Sequence, residues 1–567
     1  ARAVNPHFRI TPENLAAVAG ICRRLDGLPL AIELASARAA VLAPEDLLER
    51  LERRLPVLTG GTRDLPERHQ TLRQAIAWSY DLLNDPEQRL FRRLAVFGGG
   101  FSLAAAEAIG GADLAGGVLD LLTSLLDKHL VQAAAEPDGM RFSLLETVRE
   151  FGLECLAASG ELAGVAARHG EHFVQLAEAG YGRQVGSAQA SWFRRLEREL
   201  GNLRAAARWI VEQQDAGRAA RLGLSLWRFW DRGYIVEGRA WLESFLGLPG
   251  LAAPGPARCR LLFAAGRLAY RQADYSPAAA LLTECLAIAR AERDDDFTAS
   301  ALTQLAHLAY AQGDLEIAER RYAESLDIRR RAGDDARTIA VSLYGLARVH
   351  RARADYAVAR ALLVESLEQF QAAEDDVQIA GVLVALGLVA LLEGDDEEAG
   401  GAFRESLARA LKVGDRPGEA GALIGLAYAA LGRGQPRRAR TLLGESLALA
   451  RATDGRQLVV QCLEGMAAVL AADGEGRRAW RLAAAVAAYR ARAAVPQDPS
   501  ERVLLARYLD PVAATLQPGE RAALWATGSA LTPEEALAGI EWPGVVVPLE
   551  SIRANLVQYE REREVRA

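Results

Sequence analysis

The C-terminal half of the chain repeats itself about every 40 residues, and that period constrains its fold more than any other feature of the sequence. An acidic turn residue recurs at Asp274, Asp314, Asp355 and Asp395, and Gln435 and Glu475 continue the same step. A second marker keeps phase with it: Glu284-Cys285-Leu286, Glu324-Ser325-Leu326, Glu365-Ser366-Leu367, Glu405-Ser406-Leu407 and Glu445-Ser446-Leu447. Within one period Leu302, Leu305, Ala306 and Ala309 fall at helical spacing, and beyond Gly313-Asp314 a second set runs Leu315, Ala318, Tyr322, Ser325 and Leu326. Each set is the apolar stripe of an amphipathic helix. The glycine between them tolerates the positive φ that ends the first helix, and the aspartate caps the second. Each period is therefore a helical hairpin. Hairpins from about Pro256 to Arg490 should stack into a superhelix with one continuous concave face.

The Gly-Asp turn and the small residues Ala306, Ala318 and Ser325 resemble the tetratricopeptide unit, lengthened by acidic connectors such as ERDDDF and RAGDDAR. That resemblance implies that the first helix of each pair lines the concave face. The lining then runs through Thr303, His307 and Tyr310, then Tyr344, Arg348 and Arg351, then Val384, Leu388 and Leu391, then Ile424 and Tyr428. One end is polar and aromatic, the other apolar. Such a groove suits a peptide, a partner protein or a small effector, with Arg348 and Arg351 available to an anion. For any single one of these residues the plainer alternative is packing between repeats.

The N-terminal third has a different pattern. ICRRLDGLPLAIELASARAAVLAPEDLLERL reads as two helices separated by Gly27-Leu28-Pro29, since Gly and Pro break the first and Pro suits the first turn of the second. TLRQAIAWSYDLLNDPEQRLFRRLAVFGGGFSLAAAEAI gives two helices and a glycine-rich corner, and LLTSLLDKHLVQ runs from helix into strand. Pro137-Asp138-Gly139 then turns the chain back into a second short strand at MRFSLL. Helices followed by a two-stranded wing describe a winged-helix module. Its would-be recognition helix, roughly Val118 to His129, offers only Lys128 and His129 as basic groups among leucines, so it is expected to be packed rather than to read DNA.

In order, GLPLAIELA, ERHQTLRQAIAWSYDLL, FRRLAVFGGGF, LLETVREFGLE and WFRRLERELGNLRAAARWI resemble the large ATP-dependent bacterial regulators of the STAND class, the NB-ARC-containing LuxR-type and AfsR-type proteins. The motifs cover residues from about 15 to 250, and the repeats that follow match that family's layout. The resemblance implies an upstream P-loop domain, an ADP-bound closed state and an ATP-bound open one. It also implies that Gly27, Leu28 and Pro29 lie against the nucleotide base. The sequence given contains no GxxxxGK[ST], because Lys128 follows Asp127 and Lys412 follows Leu411. No cofactor is therefore expected in this chain by itself, and ATP or ADP only together with a P-loop domain upstream. Where related proteins place Met-His-Asp, this chain has Leu144-Leu145-Glu146. It begins Ala-Arg-Ala rather than Met, which is the expectation for a fragment.

Composition excludes several classes. With 67 Lys+Arg against 74 Asp+Glu, the net charge of -7 offers phosphate backbones and anionic lipid no general attraction. Apolar runs such as VLVALGLVALL soon meet Glu393, Asp395 and Asp396, so no membrane span is expected. The five dispersed cysteines suit reduced thiols in a cytoplasmic protein. His169 and His172 lack a third ligand, so no metal is expected. Trp192, Trp209, Trp227, Trp230 and Trp241, with Phe229 and Tyr234, crowd one stretch and are expected to be core. GxSxG and HExxH are absent, and nothing supports an enzyme.

The expected fold class is all-α, a tetratricopeptide-like helical-hairpin superhelix behind a helical segment and a winged-helix module with a small two-stranded wing. Residues 1–60 would close an NB-ARC helical subdomain and 61–165 would form the winged helix. Linking hairpins would occupy 166–255, the repeats 256–495, and a helical cap or tail 496–567. The expected function is the sensing portion of a nucleotide-dependent signalling protein that controls transcription. Its expected partners are a protein, peptide or small effector in the groove, the upstream nucleotide domain and a second copy of itself, with DNA reached only through another domain. The alternative is a protein-interaction scaffold with no nucleotide dependence.

Overall fold

The computed structural model describes residues 11, 14–24, 44, 48 and 72–537, apart from 115–116, 137–138, 184–188, 334, 453–455, 493–494 and 496. Gly27, Leu28 and Pro29 lie outside the described residues, as do Pro137 and Asp138 of the expected turn. The chain divides into two compact units, 1–253 and 254–567.

In the first unit, helix α1 spans Leu15–Arg24, α2 Leu72–Asp81 and α3 Asp85–Leu94. Asn84 and Glu87 form a reciprocal capping box that sets the start of α3. Strand β1 (Phe101–Ser102) leads into α4 (Leu103–Gly110), and α5 (Val118–Asp127) precedes β2 (Gln132–Glu136) and β3 (Gly139–Ser143). The sheet has three strands in the order β1-β3-β2, where the sequence suggested two. Phe101 pairs with Phe142, and β2 and β3 run antiparallel from Gln132↔Ser143 to Glu136↔Gly139. The two-residue β1 is too short to give an alternating pattern.

Helices α6 (Glu146–Ala158), α7 (Leu162–Ala179), α8 (Gln189–Arg198), α9 (Leu200–Glu212), α10 (Ala216–Gly233) and α11 (Ile235–Leu246) follow in this unit. Helix α7 runs unbroken across the position where a boundary was expected, at 165. The motifs FGGGF and ELGNL, far apart in sequence, meet here. A Cβ on Gly201 would lie 1.6 Å from the Gly98 carbonyl oxygen, so only glycine admits this approach. Buried Asn202 accepts from the Gly98 amide and donates to the Gly100 carbonyl, each at 2.9 Å. Arg141 donates to the Gly100 and Arg198 carbonyls and pairs with Glu199 at 2.7 Å. Of the five tryptophans expected to be core, Trp192 and Trp230 are buried and Trp209, Trp227 and Trp241 are half-buried, and three of them seat on glycines: Trp192 on Gly180, Trp209 on Gly170 and Trp230 on Gly238.

The second unit contains six hairpins among the described residues. They are α12 (Pro256–Arg271) with α13 (Tyr275–Ala291), α14 (Asp295–Ala311) with α15 (Leu315–Ala332), α16 (Ala336–Ala352) with α17 (Tyr356–Ala372), α18 (Asp376–Glu393) with α19 (Asp396–Val413), α20 (Arg416–Gly432) with α21 (Pro436–Ala452), and α22 (Arg456–Ala472) with α23 (Gly476–Arg492). Asp314 and Asp395 cap their helices through side-chain oxygens, as do Asp294, Asp335 and Asp375 of the acidic connectors.

The recurring serine has a structural reason. Ser325, Ser366, Ser406 and Ser446 each donate at 2.8–2.9 Å to the carbonyl of Ala299, Ala340, Ala380 and Ala420 on the paired helix, and all four serines are fully buried. Cys259 and Cys285 take these two positions in the first hairpin, and Val460 and Val486 take them in the last. Helix α18 is long and apolar enough to cross a membrane by length and composition, which the sequence reading did not anticipate. It packs as the first helix of the fourth hairpin.

Three more helices follow among the described residues: α24 (Pro499–Thr515), α25 (Pro518–Ser529) and α26 (Pro533–Leu537). Thr532 and Glu535 make a reciprocal capping box at the start of α26. Helix α24 does not continue the repeat.

Ser366→Ala and Ser406→Ala are each expected to lower the unfolding free energy by about 1 kcal/mol, the net worth of one buried hydrogen bond. Ala354 holds φ of 65° at a turn where four of the other hairpins place Gly313, Gly394, Gly434 and Gly474. Ala354→Gly is therefore expected to raise stability by up to about 1 kcal/mol. Urea denaturation of the three variants checks both signs.

The concave groove as candidate ligand site

Helix α24 lies along the concave face, against the first helices α16, α18 and α22 and against α23. It meets the polar end of the expected lining first. Asp498 caps α24 with one carboxylate oxygen, which accepts from the Ser500 amide at 2.9 Å. Its other oxygen accepts from the Tyr310 hydroxyl at 2.7 Å and from Arg351 Nη2 at 3.0 Å. Arg348 lies 3.8 Å from that same oxygen, with its guanidinium 4.2 Å over the Tyr310 ring. Arg351 also donates through Nε to the Ser500 hydroxyl at 3.0 Å. Burial by itself would raise the Asp498 pKa, but Arg351, Arg348 and the Tyr310 hydroxyl together bring it down to about 2. Tyr310 is pushed up to about 12, chiefly by burial.

The apolar end is occupied as well. Leu504 is buried beside Val384, Leu388, Ile424 and Tyr428, and Tyr508 packs its ring 6.4 Å from that of Tyr428. Arg507 donates to the Leu391 carbonyl at 2.9 Å. Of the residues expected to line the groove, Tyr310, Arg348, Arg351, Leu388 and Tyr428 thus meet around one helix. Tyr344 is half-buried one turn from Arg348 and packs toward the next hairpin.

Two others are placed differently. Thr303 lies inside its own hairpin, donating to the Ala299 carbonyl at 2.9 Å and sharing a hydrogen bond with Ser325, so it packs helices and does not face a ligand. His307 stacks on Tyr270 and meets Tyr322 edge-on. Burial, reinforced by Arg348, lowers its pKa to about 3, so it is a neutral packing group. A one-residue offset along a helix turns a side chain by about 100°, which a lining inferred from repeat spacing does not resolve.

A second polar cluster sits one turn further along α24. Arg490 pairs with Glu464 at 2.8 Å and lies 3.5 Å from Glu501, and Gln461 donates to Glu501. Burial, with Asp498 and Glu464 adding repulsion, pushes Glu501 up to about 7. A cavity of about 560 Å³ opens beside this cluster, lined by Glu464, Arg490, Gln497, Leu505 and Trp525 among others. Gln461, Glu464, Arg490, Asp498, Ser500 and Glu501 were missed in the sequence. Asp498-Pro499-Ser500-Glu501 does carry a helix-start pattern, but no sequence signal tells which surface that helix covers.

The winged helix offers a different surface. Helix α5 buries Leu122 and Leu125 but leaves Leu119 53% exposed, so it is only half packed. Asp120, Thr123 and Asp127 are exposed beside it. Lys128 is engaged by Glu87 at 2.6 Å. This face is acidic and apolar, which opposes contact with phosphates. No group of three or more His, Cys, Asp or Glu side chains able to hold a metal occurs among the described residues.

Comparison with known proteins places both parts. The tetratricopeptide repeat family matches residues 297–372 and 378–452, and the winged helix-turn-helix domain family matches residues 83–157. The chain carries tetratricopeptide repeats and a winged helix-turn-helix domain. It is 40% identical over 355 residues to a candidate HTH-type transcriptional regulator of Mycobacterium tuberculosis and to a counterpart in Mycobacterium bovis. Those matches cover 61% of this chain and 40% of each relative, so the chain spans well under half their length. Among solved structures, a signal transduction ATPase with numerous domains and a tetratricopeptide repeat sensor from Pyrococcus horikoshii overlaps 78% of this chain and 68% of its own, at 16% identity and TM-score 0.41. A Rap protein complexed with competence and sporulation factor overlaps 62% of this chain and 99% of its own, at 13% identity and TM-score 0.42. Both overlaps are loose.

The two carboxylates at the start of α24 give its docking on the tetratricopeptide array opposite pH dependences. Asp498, lowered to about 2, contributes stability above its unfolded value that is lost as pH falls through 2. Glu501, raised to about 7, contributes stability below its unfolded value that is lost as pH rises through 7. Docking should therefore be tightest near pH 5 and loosen by pH 8. Glu501→Gln is expected to remove that loss and to stabilise the docked helix at pH 8 by roughly 1–2 kcal/mol. Hydrogen exchange of residues 499–515 at the two pH values measures it.

Proposed function

We propose that this chain is the sensing portion of a cytoplasmic, nucleotide-dependent signalling protein of the STAND class that controls transcription. It is non-catalytic by itself and responds to a protein, peptide or small effector at the concave face of its repeats. The observation that carries the reading is that face: a contiguous lining, cationic at Arg348 and Arg351 and apolar at Leu388 and Tyr428, complementary along its length to an amphipathic segment. The similarity to candidate transcriptional regulators supports the output, and the acidic face of α5 supports a structural role for the winged helix, with DNA contacted by another domain.

In this reading an upstream P-loop domain binds ATP or ADP, and Gly27, Leu28 and Pro29 close on the base. Effector binding favours the ATP form through its differential affinity for the two states, and self-association accompanies it.

The test is equilibrium binding of labelled ATP and ADP to this chain and to the longer natural protein that contains it. Binding only by the longer protein, weakened roughly tenfold or more by Pro29→Ala, is the expected result. No nucleotide binding by either would leave the repeats as a plain interaction scaffold and end the signalling reading.

A further inference from the structure

Asp498 is met by more positive charge than it carries. Two guanidinium groups, Arg348 and Arg351, and the Tyr310 hydroxyl converge on a single carboxylate oxygen. The next acidic group, Glu501, belongs to the separate cluster with Gln461, Glu464 and Arg490. The carboxylate belongs to α24, which leaves the 40-residue period and touches the array mainly through first helices, where a ligand of the concave face would lie.

We propose that Tyr310, Arg348 and Arg351 form a carboxylate-recognition site for an acidic, helix-forming peptide segment of a partner protein, and that residues 497–509 occupy it as an internal stand-in which that segment displaces. The contacts of α24 specify the ligand's chemistry. It needs an aspartate at a helix N-cap, a hydroxyl two residues on for Arg351 Nε, and a leucine-sized group six residues on for the space between Val384, Leu388, Ile424 and Tyr428. The stand-in is built to leave. Its anchor is charge-assisted and desolvated, so it gains little over the same bonds made by another carboxylate. Pro511 interrupts the amide ladder inside α24, and Glu501 carries a carboxyl group into a buried site. Tethering keeps its effective concentration high, so a free segment must bind more tightly or the tether must loosen.

The inference rests on the reading of the concave face as the sensing surface. Its test uses neither nucleotide nor DNA, so the two can fail separately. The probe is a fluorescent peptide of residues 497–510, QDPSERVLLARYLD, added to the full chain and followed by anisotropy. The parent chain, with its groove occupied, is expected to bind weakly. The chain variants Asp498→Asn and Leu504→Glu should release α24, seen as hydrogen exchange at 499–515 at least tenfold faster while α14, α16, α18 and α22 stay protected. Each should bind the peptide at least tenfold more tightly than the parent. Adding Arg351→Gln to either variant, or using the Asp498→Asn peptide, should abolish that gain. The proposal is overturned if α24 stays protected in both variants, if released chains gain no affinity, or if the Asp498→Asn peptide binds as well as the parent peptide.

Discussion

Four of the six described hairpins are held by two helices approaching closely enough for a serine hydroxyl on one to reach a backbone carbonyl on the other. The bond from Ser325, Ser366, Ser406 and Ser446 to Ala299, Ala340, Ala380 and Ala420 requires a small residue on the facing helix, and alanine supplies it in all four hairpins. A carbonyl has two lone pairs, so it accepts this bond while keeping its helical one. The bond is directional where apolar packing is not. It fixes the register of one helix on the other, and the repetition of that register turns six hairpins into a regular array with a continuous inner face. The first hairpin fills the same positions with Cys259 and Cys285, whose thiols make weaker bonds at 3.4 Å, and the last fills them with Val460 and Val486, which have no donor.

That inner face is where polar groups are placed at risk. Arg351 and Asp498 are both drawn into low-dielectric surroundings, and so are Glu464 and Arg490. Neutral groups reinforce both pairs, Tyr310 and Ser500 at the first and Gln497 at the second, because a buried ion without partners costs several kcal/mol. A helix held in this way is held specifically but conditionally. Tyr310, Arg348 and Arg351 fix where α24 begins, and Leu504 adds the apolar contact further down. Protonation of Glu501 then makes the docking sensitive to conditions near neutral pH.

In the first unit the organising constraint is steric. The contact between Gly98 and Gly201 lets the glycine corner after α3 rest directly on the start of α9, and Asn202 and Arg141 both donate to the Gly100 carbonyl of that corner. This ties the winged helix to the helices that follow it within the unit. The winged helix is a positioned module there, and its α5 presents Leu119, Asp120 and Asp127 where a DNA-reading helix would present arginine and lysine.

Much of the local chemistry repeated in phase was legible in the sequence: hairpins from their turns and apolar stripes, helix caps from Asp314 and Asp395 though not from Asp274 or Asp355, and two of the three strands of the wing from their pattern. Those features act over a few residues, so they are written contiguously. Of the expected groove lining, Tyr310, Arg348, Arg351, Leu388 and Tyr428, which recur at repeat spacing, meet around α24, whereas Thr303 and His307 pack among the helices. What only the tertiary structure decided was every pairing between distant segments. Strand β1, the approach of Gly98 to Gly201, the turn of Thr303 into its own hairpin and the docking of Asp498 against Arg351 each depend on where the superhelix brings remote residues together. Asp498 and Arg351 are 147 residues apart, and no local propensity specifies their meeting. The sequence determined that a groove exists and what chemistry its two ends offer; the fold alone determined that the chain's own helix lies in it, because burial of Leu504 and pairing of Asp498 become possible only once the stacked hairpins have formed the surface that receives them.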